Sequence, residues 1–143
     1  MSCFIIPDPF PKPVLPEGFI FKSLARDNDL KKIHRVLHRG FNHPGKPLED
    51  EIEDRKKMQS GPNFRADLTI VVQAPDGNFV TYCGMWYDKV NHFGYVEPVA
   101  TDPDYRRRGL GCATVLESIR RCGREGADIA YVLPAICPSF FLI

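Results

Sequence analysis

Residues 99–113, Val-Ala-Thr-Asp-Pro-Asp-Tyr-Arg-Arg-Arg-Gly-Leu-Gly-Cys-Ala, restrict the fold of this chain more than any other stretch. An apolar strand pattern ends at Thr101, a short loop carries three arginines, and two glycines open an amphipathic helix pattern. Glycines at such a junction let the backbone turn and approach a ligand closely. The first N–H groups of a helix have no internal partner and the helix dipole is positive at that end. Together these make an anion site suited to a phosphate or pyrophosphate. A glycine-rich helix start with arginines in solvent fits the same spacing. Two familiar phosphate loops are excluded. No Gly-Lys-Ser/Thr exists in the chain, and Gly109-Leu110-Gly111 is followed by Cys112, Ala113 and Thr114 rather than a third glycine at the required spacing.

The rest of the chain supplies an α/β frame for this segment. Phe19 to Ala25 reads as a strand. Asp27 or Asn28 is positioned to cap a helix in which Leu30, Ile33, Leu37 and Phe41 share one face and Lys31, Lys32, Arg35 and Arg39 another. Gly40 and Asn42-His43-Pro44-Gly45 stop it. Leu48 to Gln59 is a second helix whose acids precede its bases, the order the dipole favours. Strands follow at Leu68–Gln73, Phe79–Tyr87 and Phe93–Thr101, with turn chemistry at Pro75-Asp76-Gly77-Asn78 and at Asp88–Asn91. The helix from Gly109 or Leu110 to Arg124 precedes a short buried strand, Ile129–Leu133. The order is β-αα-βββ-α-β: an α/β (α+β) domain with a mostly antiparallel sheet and one parallel crossover.

Residues 1–17 are set apart by five prolines between Pro7 and Pro16 and read as an extended Pro-rich arm, with Phe4, Ile5, Ile6 and Phe10 available to lie across a neighbouring surface. The folded domain is expected to span residues 18–143. Lys plus Arg is 19 against 18 acids, so the net charge of +1 argues against a nucleic-acid or membrane-surface binder. No apolar run approaches the about 20 residues that cross a bilayer, and no signal-peptide layout opens the chain, so a cytoplasmic location is expected. Cysteines at 3, 83, 112, 122 and 137 show no C-x-x-C spacing, and free thiols rather than a disulfide framework or a zinc site are expected.

Arg106-Arg107-Arg108-Gly109-Leu110-Gly111 resembles the R/Q-x-x-G-x-G/A signature of the GNAT superfamily of acyl-CoA-dependent N-acyltransferases, and the order of elements from Gly18 to Leu133 is similar to that family's. The resemblance implies acetyl-CoA as co-substrate, no metal, and direct attack of a primary amine on the thioester. The acceptor would be a small molecule or a peptide. Backbone groups of Val99, Ala100 and Thr101 would pair with the pantetheine arm like an added strand. The N–H groups of Arg107, Arg108, Gly109, Leu110, Gly111, Cys112 and Ala113 would cradle the pyrophosphate. Arg106 stands at the first position of the signature, with Arg107 and Arg108 adding charge near the phosphates. Thr101 stands where the family usually has valine, a departure of little weight for a backbone contact.

An attacking ammonium must first lose a proton, which a carboxylate can accept through water. By resemblance Glu97, two residues before Val99, is the candidate base; a solvated or salt-bridged strand glutamate is the plainer reading. Tyr95 shares its face by alternation. His34 and His38 stand four apart on one helix, a spacing that can bind metal, but no glutamate completes H-E-x-x-H and a packed or half-exposed pair is expected. His43 reads as a loop histidine without a role, Cys112 as a small residue near the nucleotide, and Trp86 with its aromatic neighbours as core.

The family normally continues past the last strand with an asparagine-containing turn, a helix carrying an acid tyrosine and two more strands. Here the chain gives Pro-Ala-Ile-Cys-Pro-Ser-Phe-Phe-Leu-Ile, no asparagine follows Asn91, and Tyr131 lies inside the strand, so the family's acid is assigned to no residue. Truncation, an altered reading frame or an alternative end are compatible with this. The domain is then C-terminally incomplete, with exposed apolar patches that favour self-association, a homodimer being one form of it. A catalytically impaired acyl-CoA-binding or partner-binding module is the alternative to an active N-acetyltransferase.

Overall fold

The apolar stripe Leu30, Ile33 and Leu37 becomes the inner face of α1 (Leu30–Gly40) in a computed structural model that describes residues 2–133. The tail reading, residues 134–143, lies outside the described residues. Asp29, rather than Asp27 or Asn28, caps the helix by accepting from the Lys32 amide at 3.1 Å. The two neighbours are engaged elsewhere: Asp27 pairs with Lys22 Nζ at 3.0 Å, and Asn28 with Gln59 at 2.9 Å. Gly40 is the last helical residue, and its missing side chain serves packing. A Cβ there would lie 2.6 Å from Ala100 Cβ, so α1 can rest directly on the strand before the arginine loop.

The second helical stretch is a 3₁₀ turn (Glu49–Glu51) running into α2 (Ile52–Gln59). The sheet has six strands: β1 (Ser2–Ile5), β2 (Ile20–Ser23), β3 (Ile70–Gln73), β4 (Phe79–Asp88), β5 (Phe93–Thr101) and β6 (Ile129–Val132), in the order β1-β6-β5-β4-β3-β2. Every neighbouring pair is antiparallel except β5 and β6, which α3 (Leu110–Arg124) connects as a crossover.

The N-terminal segment departs from the expected arm. Ser2–Ile5 pairs antiparallel with Val132–Ile129, and Phe4, Ile6 and Phe10 pack against the α3-side core. The physical reason is local: residues 2–6 contain no proline, so their N–H groups can join a ladder, and the Ile6 amide still bonds Asp128 O at 3.0 Å.

Each sheet face has its own core. Under α1, Ile33, Val36 and Leu37 meet Val71, Tyr82 and Ala100; under α3, Val115, Ile119 and Cys122 meet Cys83, Met85, Val96 and Ala130. Each such fully buried aliphatic side chain contributes about 1.5–3 kcal/mol. Buried hydroxyls fix α3 axially: Thr114 Oγ1 donates to Leu110 O at 2.6 Å and lies 2.7 Å from Thr81 Oγ1, while Ser118 donates to Leu68 O at 2.6 Å.

Between β4 and β5 the register slips: Cys83 faces Val99 but Met85 faces Val96, leaving an extra residue on β5. Gly84 sits at this bulge, where a Cβ would run into the Glu97 carbonyl. Gly84→Ala is therefore expected to cost about 1–3 kcal/mol by overpacking, read as a lower urea midpoint with an unchanged slope.

Candidate functional site

β6 pairs with β5 only from Phe93 to Tyr95. From Val96 to Thr101, β5 runs on with no strand on that side among the described residues. An unpaired strand edge offers N–H and C=O groups to any extended ligand that can lie along it. Val99, Ala100 and Thr101 are on this stretch. One of their groups is already engaged, since Arg106 Nε donates to Thr101 O at 3.3 Å.

The edge leads into the arginine loop. Asp102 caps a 3₁₀ turn (Pro103–Tyr105), Arg107 has φ 62°, and Gly109 has φ 76° as the N-cap of α3. No side chain caps α3. The amides of Arg107, Arg108, Gly109, Leu110 and Gly111 have no acceptor among the described residues. The Ala113 amide is different: it makes the first intrahelical bond, to Gly109 O at 3.0 Å, and so drops out of the expected cradle. What remains is a row of free N–H groups at the positive end of a helix dipole, a chemistry that receives an anionic, phosphate-bearing group.

The three arginines divide their work. Arg106 Nη2 donates to Gly40 O at 2.9 Å and to Asn42 Oδ1 at 3.1 Å. Its guanidinium thus stitches the C-terminal end of α1 to the loop, where a cation also meets the negative end of that dipole. Arg108 lies 5.0 Å over the Tyr105 ring, and Arg107 is exposed with no partner among the described residues. The charge available to an anion is that of Arg107 and Arg108.

Asp102 has a structural part the sequence did not announce. It is fully buried, with Arg39 Nη2 at 3.0 Å, Arg39 Nε at 3.1 Å and Arg35 Nη1 at 3.1 Å. Burial alone would raise its carboxyl pKa, but the Arg39 hydrogen bonds, the Asp104 amide and the charges of Arg39 and Arg35 hold it below the usual carboxylate value. Arg39 also bonds Asp104 Oδ2 at 2.8 Å. The start of the loop is therefore clamped to α1 from both ends.

Glu97 is exposed beside the open edge and has no cationic partner among the described residues. The neighbouring Glu97 carboxylate raises the Tyr95 phenol above its ordinary pKa. Trp86, directly across from Tyr95, donates from Nε1 to Glu97 O at 2.9 Å and meets Phe64 edge to face at 5.3 Å. Trp86 is only half-buried and belongs to none of the core clusters, contrary to the expectation of a core tryptophan. Cross-strand partners share a sheet face, so Trp86 and Tyr95 project on one side.

His34 and His38 are packed. His34 Nδ1 accepts from Arg55 Nε at 3.1 Å and its Nε2 lies 3.3 Å from Glu51; His38 Nε2 lies 3.1 Å from Gly45 O. Burial, followed by the nearby Arg55 charge, lowers the His34 pKa. Among the described residues no cluster suits a metal ion. Cys3, Cys83 and Cys122 are free thiols. A cleft of about 680 Å³ lies between residues 5–10 and the C-terminal end of α3, away from this loop.

Residues 30–136 match the model of a family described as the acetyltransferase (GNAT) family. The chain is 28% identical to a mycothiol acetyltransferase of Saccharomonospora viridis over 92% of its own length and 46% of that protein's. Its fold is similar to that of a GCN5-related N-acetyltransferase from Sphaerobacter thermophilus (TM-score 0.78, 18% identity, 97% of this chain and 45% of that one). It is also similar to a GNAT family acetyltransferase from Brucella melitensis in complex with acetyl-CoA (TM-score 0.56, 17% identity, 78% of this chain and 73% of that one). The chain thus spans a little under half the length of the first two. No helix among the described residues is long and apolar enough to cross a membrane.

Proposed function

Because the chain belongs to the acetyltransferase (GNAT) family, we propose that it transfers an acetyl group from acetyl-CoA to a primary amine by direct attack. One observation carries the reading: the open edge of β5 runs without interruption into a loop whose free amides crown α3. Acetyl-CoA, when bound, supplies a thioester carbonyl to the nucleophile. The edge of Val99–Thr101 orients the pantetheine arm, and the amides from Arg107 to Gly111 hold the pyrophosphate, with Arg107 and Arg108 adding positive charge. Glu97 accepts the ammonium proton through a water molecule, freeing the lone pair for attack. Clamping by Asp102 and Arg106 keeps strand edge and amides in a single frame, so the entropy of arranging them is lost on folding rather than on binding.

Calorimetric titration of the folded chain with acetyl-CoA tests the first half of this reading, and amine-dependent release of the CoA thiol tests the second. Saturable binding with one site per chain and thiol release that rises with amine concentration are expected. A titration without heat, or thiol release indifferent to amine, would overturn it.

A further inference from the structure

We propose that the acceptor is an arylalkylamine: an ammonium joined by a short alkyl spacer to an aromatic ring. The inference rests on the acetyl-transfer reading and concerns the half of the site that receives the amine. Three aromatic side chains, Phe64, Trp86 and Tyr95, are grouped beside Glu97. All three are half-buried, so each keeps part of its surface in solvent.

Trp86 is fixed in this position by three contacts. Its indole N–H is held by Glu97 O at 2.9 Å, and its backbone bridges to Phe64. Gly61 leaves room behind the ring, where a Cβ would come 2.8 Å from Trp86 Cζ3. Any side chain at this position, just past α2, would press on the indole; glycine allows the close approach. The exposed carboxylate of Glu97, unpaired with any cation among the described residues, borders this aromatic wall where the open edge of β5 begins.

The chemistry selects its ligand. A carboxylate next to ring faces attracts an ammonium electrostatically, and the ring quadrupoles attract the same charge. A ring on a short spacer can then pack edge to face or offset against Trp86 and Phe64. An amino acid with an acidic side chain would meet repulsion from Glu97. An amino sugar would lose water at several hydroxyls against a wall that offers few hydrogen-bond partners.

Trp86 is the chain's single tryptophan, so its emission reports on this wall alone. Titration with phenethylammonium chloride is expected to give a saturable change in emission, weakened about ten-fold in Glu97→Gln, while glutamate and glucosamine leave the emission flat. In thiol-release assays, Trp86→Leu is expected to lower kcat/KM for phenethylamine at least ten-fold, Trp86→Phe to recover most of it, and both to bind acetyl-CoA as the parent chain does. Flat emission with phenethylammonium, or an equal loss for phenethylamine and glucosamine in Trp86→Leu, would overturn the proposal. Saturable emission without any thiol release would keep the arylalkylammonium site and sink the transfer reading. Transfer to another amine class with flat emission would do the reverse.

Discussion

A Gly109→Glu chain is expected to fold and to lose acetyl-CoA affinity by at least about 100-fold, which corresponds to roughly 2.8 kcal/mol. Two separate physical effects contribute. Gly109 has φ 76°, a left-handed conformation that costs an ordinary L-residue roughly 1–2 kcal/mol. Space is not the obstacle, since a Cβ at this position would meet nothing within 4 Å. The larger effect is electrostatic: a carboxylate at the N-cap of α3 would sit among the amides that await an anion and would occupy the positive end of the dipole itself. Gly109→Asn separates the two, because asparagine tolerates the left-handed region and carries no charge. Its affinity is expected to stay within about ten-fold of the parent. Equal losses in both variants would show that backbone shape rather than charge governs the site, and no loss in either would remove the loop from the binding surface.

The loop was legible in the sequence because its signals are local. A strand end, a cluster of arginines and two glycines before an amphipathic helix each follow from neighbours in the chain, and β5 and α3 fall where their patterns place them. What the sequence hid depends on partners far away. Ser2–Ile5 is too short to show a period, and only Ile129–Val132, more than a hundred residues on, makes it a strand. Arg106 carries the same charge as its neighbours, and nothing local in the sequence tells that its guanidinium reaches Gly40 and Asn42 to brace α1. Trp86 reads as core because large aromatics usually are; its indole instead donates to Glu97 O and lies close to Gly61, both distant in sequence. Asp102 was silent for the opposite reason. In a Thr-Asp-Pro-Asp loop an aspartate looks solvated, and its burial follows from two arginines on α1 that face away from the apolar stripe.

That burial makes Asp102→Asn the second substitution with a large expected effect. The amide preserves the size of the side chain and can still accept from the Asp104 amide, but two guanidinium groups then face a neutral partner. Removing one partner of a buried pair costs about 3–5 kcal/mol. Arg35 and Arg39 keep about a third of their side-chain surface in solvent and can rehydrate, so a loss nearer about 2–3 kcal/mol is expected. The effect should depend on pH in one direction. The folded carboxyl titrates below its ordinary value, so its stabilisation is complete well above about pH 4, where the unfolded carboxyl is already ionised. It fades as the pH falls through the unfolded value of about 3.9 toward the lower folded one. Urea midpoints of the parent and the variant should therefore stand apart at pH 7 and draw together as the pH falls below about 4. Acetyl-CoA affinity should fall in the same variant at pH 7, because the first residue after β5 no longer holds the loop against α1. A gap in midpoints that stayed constant across this range would mean that the ionised carboxylate of Asp102 is not what joins α1 to the loop.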